Sequence, residues 1–446
     1  MLSAPETDLT AVVISHNSAS WLPGCLRSLR ASAGVRLSVC VVDNSSGDES
    51  VAVVEGQFPD VMLIRSHQNL GFAGGANLGV RASDTDAVVI LNPDVTVRES
   101  TLTALANALT GDPRAAVAGA KLLYPDERTI QHAGGLLSYP LALADHLGYR
   151  QEDRGQCDEP REVEFVTGAV LVLKRPIFEE LGGFDEGFHP GYFEETDFCF
   201  RARQAGYRVL YVPEAVAVHH ESVTTGRNTP LYYHLYHRNR IRFVLKHYSD
   251  EQFWRDYISA ELEFGRWRRI DAELAALREA YVDNLAVLEG RADFIANPAA
   301  AASLSGRRDR GPALRVLRDS ADRVLALGDR TRLISKERAS MLRARWGLAE
   351  PAFVSNAPLV GPAIVGFRRV WNWMSTKWYV RPLVQQQNEF NELVVESLGA
   401  VESSAVDSER AVVQLSRDVA LLESQLRRIE KRLAEMQRLL ESNHDA

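Results

Sequence analysis

The strongest constraint in this sequence is the alternation of short β-branched runs with helical segments through roughly its first 220 residues. Residues 9–15 (LTAVVIS) read as a buried strand, and residues 21–31 follow with Leu22, Leu26 and Leu29 on one helical face. Residues 37–42, 61–66 and 87–91 read as further strands, separated by helical stretches from Glu49 and from Gly75. That βαβα order predicts an α/β fold with a mostly parallel sheet flanked by helices. In such sheets ligands bind beyond the carboxyl ends of the strands, so the loops after the strands are where chemistry is expected.

The unusual residues cluster in those loops. Asp43 ends the run VVD just before the turn-forming residues Asn44, Ser45 and Ser46. Asp94 follows the next such run in LNPDV, where Pro93 cannot continue a sheet ladder and so turns the carboxylate outward. Glu194, Glu195 and Asp197 form an acidic cluster, and the strand-like AVAV at 215–218 ends in His219 and His220. Carboxylates and imidazoles at strand ends suit a hard divalent ion, which takes few protein ligands and completes its shell with phosphate oxygens and water. Taken singly, each Asp is as readily a turn or helix cap. Four such sites at strand ends of one domain favour the ligand reading. The segment NLGFAGGAN at 69–77 reads as a glycine-rich loop that lets backbone approach a ligand and opens a helix whose N–H groups face phosphate. It lacks the GKS/T of a P-loop and is not GxGxxG.

In order, VVISHNSASWLPGCLRSL, VVDNSSGD, NLGFAGGANLG, VVILNPDV, FVTGAVLVLKRPIFEELGGFDEGF and YFEETDFCFRARQAGYRVLYVPEAVAVHH resemble the family 2 inverting glycosyltransferases, most of all their rhamnosyltransferase-like branch. The resemblance covers about residues 8–250 and implies a GT-A fold holding a nucleotide-diphosphate-sugar donor. It implies donor contacts from Ser15, Asn17, Asp43, Asn69, Gly71, Asn77 and Asn92, with Asp43 at the nucleobase. Asp94 matches the last acid of the family's metal-binding DXD motif, and Asn92 replaces the first. His219 matches the downstream metal or diphosphate ligand, with His220 its rival; the ion implied is Mg²⁺ or Mn²⁺. Glu195 stands where the family has the general base, with Glu194 and Asp197 as alternatives. The implied reaction is one in-line displacement with inversion, onto a hydroxyl of a glycan or lipid-linked acceptor. Rhamnose is the sugar to which the branch points. His132, in QHAGG, meets the acceptor or serves a turn.

The net charge of −8 argues against a nucleic-acid partner. Cys25, Cys40, Cys157 and Cys199 stand far apart, without CxxC spacing, and read as free structural thiols of a reducing compartment. The start MLSAPETD shows no apolar signal region, and no apolar run nears the ~18 residues a membrane span needs. The chain is therefore expected in the cytoplasm, with the inner face of the membrane as a peripheral site.

Four regions are expected: the transferase domain at 1–250, a helical region at 251–355 with a linker near 297–312, an aromatic amphipathic segment at 356–400, and a coiled coil at 401–446. The basic helix YHLYHRNRIRF at 233–243 reads as a solvated face, or as one that meets diphosphate or an anionic membrane. Trp371, Trp373 and Trp378 belong either to a small helical core or to a headgroup layer. In the tail, Val412, Leu415, Val419, Leu422, Leu426, Ile429, Leu433, Met436 and Leu440 keep a/d spacing, which a homo-oligomer would bury. Two rival functions remain: a coiled-coil scaffold with a degenerate nucleotide-sugar-binding domain, and a nucleotidyltransferase that would release pyrophosphate.

Overall fold

The computed structural model describes residues 7–220, 229–267, 271–290 and 304–326. Strand β1 (Thr7–Ser15), helix α1 (Leu22–Arg30), β2 (Val35–Asp43), α2 (Ser50–Gln57), β3 (Met62–Arg65), α3 (Gly71–Arg81) and β4 (Ala87–Leu91) realise the expected alternation. Then come β5 (Val95–Val97), α4 (Thr101–Gly111), β6 (Ala115–Leu123), β7 (Ile130–His132), β8 (Gly135–Ser138), β9 (Leu143–His146) and β10 (Arg161–Glu162). The domain continues with β11 (Val170–Lys174), α5 (Arg175–Glu180), α6 (Glu194–Gln204) and β12 (Arg208–His219). Helices α7 (Pro230–His247), α8 (Ile258–Trp267) and α9 (Asp271–Leu288) follow.

The main sheet runs β10-β12-β6-β11-β4-β1-β2-β3, with β5 against β12 and β7 against β6. It is mixed, which corrects the mostly parallel expectation. Four pairings are parallel (β1·β2, β1·β4, β2·β3, β6·β12) and five antiparallel. The reason lies after β6, where the chain makes an excursion through β7–β10 and returns with β11 inserted antiparallel between β4 and β6. Because β11 opposes both, β4 and β6 point the same way. Strands β1, β2, β3, β4, β6 and β12 therefore share one carboxyl edge.

Period-two alternation divides the apolar residues between the two faces of this sheet. Val13, Val41, Val89 and Leu91 pack against Leu22 and Leu26 of α1 and Leu102 and Leu105 of α4. Val12, Ile14, Val42 and Ile90 face Ala73, Ala76 and Val80 of α3 and Phe198 of α6. All four cysteines are buried and free among the described residues.

Helix α3 begins at Gly71, four residues before the expected start, so the glycine-rich segment is helix rather than loop. Its glycines serve packing. A Cβ at Gly79 would stand 2.2 Å from Val12 Cγ1, and one at Gly75 would meet Ile14 Cγ2 at 3.0 Å.

The first compact unit comprises Met1–Arg266 and Ala272–Asp322, so no structural break coincides with the boundary expected at 250. Arg240 of α7 is fully buried and ion-paired with Glu261 of α8, and Tyr281 of α9 donates to the same carboxylate at 2.6 Å. Residues 304–312, read as linker, are folded and packed: buried Arg310 donates to the Tyr248 carbonyl at 2.8 Å. The second unit, Trp267–Asp271 and Arg323–Ala446, falls almost wholly outside the described residues, as do the aromatic segment and the coiled coil. Among the described residues no helix is long and apolar enough to cross a membrane.

Candidate active site

Ser15 and Asp43 are the last residues of β1 and β2 and stand opposite each other in the ladder. Both are buried, and Ser15 Oγ and Asp43 Oδ1 find no hydrogen-bond partner among the described residues. Asp43 Oδ2 accepts only from the Ser46 amide, at 3.2 Å. Buried polar atoms without partners cost free energy unless a ligand supplies the bond. Asn17 stands beside them with positive φ, its amide oxygen accepting from Gly47 N–H at 2.7 Å.

At the same edge β4 ends and the chain turns through Asn92, Pro93 and Asp94 into β5, whose Val95 pairs with His219 at the end of β12. That pairing brings Asp94 Oδ1 to 3.3 Å from His219 Nε2. Gln131, on β7, fixes the imidazole from the other side. Its Oε1 lies 2.7 Å from His219 Nδ1, and its Nε2 donates to the His219 carbonyl at 3.4 Å. With Nδ1 held by the Gln131 amide oxygen, Nε2 is the ring nitrogen turned toward the Asp94 carboxylate. A cation, whether a proton or a metal ion, can be shared there. An acceptor on the far ring nitrogen orients the imidazole, as outer partners of metal-ligating histidines do. Sequence reasoning missed Gln131, because nothing in QHAGG distinguishes a residue facing His219 from its neighbour. His220 diverges from this pair: its N–H donates to the Asp94 carbonyl at 3.1 Å and its ring packs 4.7 Å from that of Trp21. Among the described residues no group of three or more His, Cys, Asp or Glu side chains is set to hold a metal. Asp94 and His219 are thus a two-residue donor set, which suits an ion that takes its remaining ligands from diphosphate and water.

The third group opens α6. Ala169 accepts from Asn92 N–H at 3.0 Å, and the amide of the preceding Gly168 acts on the Glu195 carboxyl, which sets Glu195 near the Asn92–Asp94 turn. Burial pushes the Glu195 carboxyl up to about 7, against the opposing pull of the amides of Glu195, Thr196 and Gly168. Burial, then the Glu195 charge, raises Glu194 well above the carboxylate range. Each has one carboxyl oxygen, Oε2, buried without a partner.

Asp197 is different. Although burial alone would raise it, His247 at 2.6 Å, Lys246 at 2.7 Å and Arg201 at 2.8 Å hold its carboxyl well below the usual range. A carboxylate so paired does not accept another proton near neutrality. We therefore remove Asp197 from the candidate bases.

Three residues expected at the donor are committed internally. Asn77 gives its amide hydrogens to Phe184 O and Glu186 Oε1 and accepts from Phe184 N–H, bridging α3 to the segment before α6. Asn69 accepts from Gly71 N–H at 2.9 Å, and Phe72 N–H donates to Pro190 O at 2.8 Å, so these first amides of α3 are not free to face phosphate. Gly71 has φ +68°, and a Cβ there would meet Pro190 at 2.8 Å. Asn69, Gly71 and Asn77 thus each carry an internal contact of the fold. His132 is buried, its Nδ1 2.8 Å from His146 Nδ1 and its ring beside Phe165. The basic face of α7 is not solvated: Arg240 reaches Glu261, and buried Arg242 lies 3.4 Å from Asp185.

A family model described as glycosyl transferase family 2 matches residues 10–182, the stretch that supplies Ser15, Asp43 and Asp94. The chain carries a family 2 glycosyltransferase domain, and it is a transferase. The chain is similar to the N-acetylglucosaminyl-diphospho-decaprenol L-rhamnosyltransferase of Mycobacterium tuberculosis, 28% identical over 274 residues, which are 55% of this chain and 86% of that protein. It is also similar to the O-antigen chain rhamnosyltransferase RfbN of Salmonella typhimurium, 24% identical over 233 residues, 50% of this chain and 70% of that one. Both are rhamnosyltransferases, the branch that the order of motifs resembles. Among solved structures, GalNAc-T7 with UDP, GalNAc and Mn²⁺ gives a TM-score of 0.45 at 15% identity, covering 60% of this chain and 51% of that chain.

Proposed function

We propose that this family 2 glycosyltransferase moves L-rhamnose from a nucleotide-diphosphate donor to a hydroxyl of a lipid-linked glycan, in one displacement that inverts the anomeric centre. The observation that carries the reading is the meeting of Asp94 and His219, with Gln131 holding Nδ1 so that Nε2 faces the carboxylate. Ser15 and Asp43, whose unpartnered oxygens lie at the same sheet edge, receive the nucleoside, and Asn17 and Asn92 flank it.

Glu195 takes the acceptor hydroxyl's proton while that oxygen bonds to the anomeric carbon and the bond to the diphosphate oxygen breaks. A carboxylate with its pKa near 7 is matched to that proton transfer at neutral pH. Burial and the neighbouring Glu195 charge push Glu194 well above the carboxylate range, which favours its protonated form beside the base. Asp94 and His219 would hold Mg²⁺ or Mn²⁺, which when bound supplies positive charge to the departing diphosphate. The rhamnosyl donor and the lipid-linked acceptor are suggested by the relatives' names and the motif order.

The test is release of nucleoside diphosphate from a panel of nucleotide sugars that includes dTDP-L-rhamnose, with a polyprenyl-diphospho-N-acetylglucosamine acceptor, with Mn²⁺ or with EDTA. Metal-dependent turnover of the rhamnosyl donor is expected. Turnover of another sugar would change the donor only. No turnover together with no donor binding would reject the transferase reading in favour of a scaffold.

A further inference from the structure

The two acids of the site follow immediately on the least comfortable backbone in the domain. Tyr192 and Phe193 have φ of +76° and +74°, a left-handed conformation that costs a bulky side chain of order 1–3 kcal/mol and persists only where the surroundings hold it. Phe193 caps α6, so its conformation sets the direction in which Glu194 and Glu195 leave the turn. What holds the turn is Asn239, on the following helix α7. Fully buried, its side-chain nitrogen lies 2.7 Å from the Phe188 carbonyl, 2.8 Å from that of Gly191 and 2.9 Å from that of Tyr192. Its neighbours extend the clamp: Arg238 donates to the His189 carbonyl, and Arg242 packs so closely on Gly187 that a Cβ there would lie 2.0 Å from its guanidinium. Three carbonyls converging on one amide nitrogen leave that residue no hydrogen for a ligand. Its work is inside the protein.

We propose that Asn239 is a positioning residue for the Glu194–Glu195 pair, holding the strained 188–193 turn in the one shape that presents those carboxylates to the acceptor. This rests on the transferase reading for its catalytic consequence, but the hold itself does not. Asn239 touches no reacting group. Its loss should therefore fall on turnover and leave donor binding, assigned to Ser15 and Asp43 at the ends of β1 and β2, intact. Displacing a reacting group by about 1 Å can cost on the order of a hundredfold in rate.

The test compares wild type, Asn239→Ala and Asn239→Ala/Tyr192→Gly in the full chain. Hydrogen exchange is followed across the protein, and steady-state kinetics use dTDP-L-rhamnose, Mn²⁺ and polyprenyl-diphospho-N-acetylglucosamine. In Asn239→Ala, exchange should accelerate in residues 189–196 and not in β1, β2 or β4. In the same variant kcat should fall about ten- to a hundredfold, with the donor KM within about twofold. Glycine adopts positive φ without steric cost, so Tyr192→Gly should recover part of the lost kcat. Unchanged exchange, an unchanged kcat or an equal loss in donor KM overturns the assignment, and failure of the glycine rescue overturns its basis in backbone strain. Accelerated local exchange in a chain whose wild type ignores the donor would support the hold and reject the transferase reading instead. If Asn239→Ala does not fold, Asn239→Ser, which keeps one donor, gives the same readouts. Failure of both to fold assigns Asn239 to general stability and overturns the proposal.

Discussion

Asp94 and His219 approach to 3.3 Å because the short strand β5 leaves Asp94 and pairs at once with the last residue of β12. The contact is thus made by sheet topology rather than by a local motif, and the side chains that support it are equally remote in sequence. Asp94→Ala should abolish metal-stimulated donor turnover; because the side chain is only 11% exposed, a loss of about 0.5–3 kcal/mol in the unfolding transition should accompany it, with the fold retained. Gln131→Ala should leave both ligands in place but free the imidazole, raising the Mn²⁺ concentration for half-maximal turnover about 10–100-fold. A Mn²⁺ titration of donor turnover reads both variants. Wild-type metal dependence in either one would remove its residue from the metal assignment.

The Glu195 carboxyl, raised by burial to about 7, gives the reaction a pH signature. A general base must be ionised, so kcat/KM should climb as pH passes about 7 and level off above it. Glu195→Gln should lower kcat about 10²–10⁴-fold and erase that limb. A residual activity in Glu195→Gln that still rises near pH 7 would transfer the role to Glu194.

The same shift has a consequence for stability, with its own sign. A folded-state pKa above the unfolded one means that the folded chain binds the proton more tightly. Stability from this group is then full below the ordinary glutamate range and is lost as pH rises through about 7. Glu195→Gln, which cannot ionise, should match wild type in Tm at pH 4, draw ahead of it as pH rises toward 7 and exceed it at pH 8. Equal Tm values at both pH values would mean that the carboxyl is not desolvated.

Asp197 should behave in the opposite sense, because His247, Lys246 and Arg201 hold it ionised. Its contribution is present above the ordinary aspartate range and is lost as pH falls. Asp197→Asn leaves those cations facing a neutral amide in the interior and should cost about 3–5 kcal/mol in denaturant unfolding, the usual penalty for breaking a buried pair. A loss under about 1 kcal/mol would return Asp197 to the list of free acids.

The contrast between these acids explains what could be read from the chain alone. Strands β1 to β4 announced themselves through β-branched runs, and Asp43 and Asp94 through the turn residues beside them, because both signals are local. The antiparallel insertion of β11 was not legible: its residues read like those of any buried strand, and its direction follows from the long excursion before it. Asp197 and Glu195 are two positions apart and chemically alike. They part company only because α6 turns one toward Lys246 and His247 of α7 and the other toward the Gly168 amide. The internal contacts of Asn77 and Gly71 are hidden from the sequence for the same reason, their partners at Phe184 and Pro190 lying more than a hundred residues on.

The glycines of α3 allow one last separation of packing from ligand approach. Gly79→Ala would by itself favour helix, by about 1 kcal/mol. Here the new methyl would stand 2.2 Å from Val12 Cγ1 and 3.1 Å from Val42 Cγ2, both on buried strands whose β-branched side chains have little freedom to turn aside. Overpacking of this kind typically costs about 1–3 kcal/mol, so a net loss of stability is expected. Val12→Ala alone should also be destabilising, through the cavity it leaves. Combined, the two changes should lose less than the sum of their separate losses, because the new methyl fills part of the space that the valine vacates. Urea unfolding of the two single variants and the double variant measures that coupling directly. Strict additivity would mean that α3 does not lie against β1 as closely as Gly79 implies, and the glycine run would again be open to a role in ligand approach.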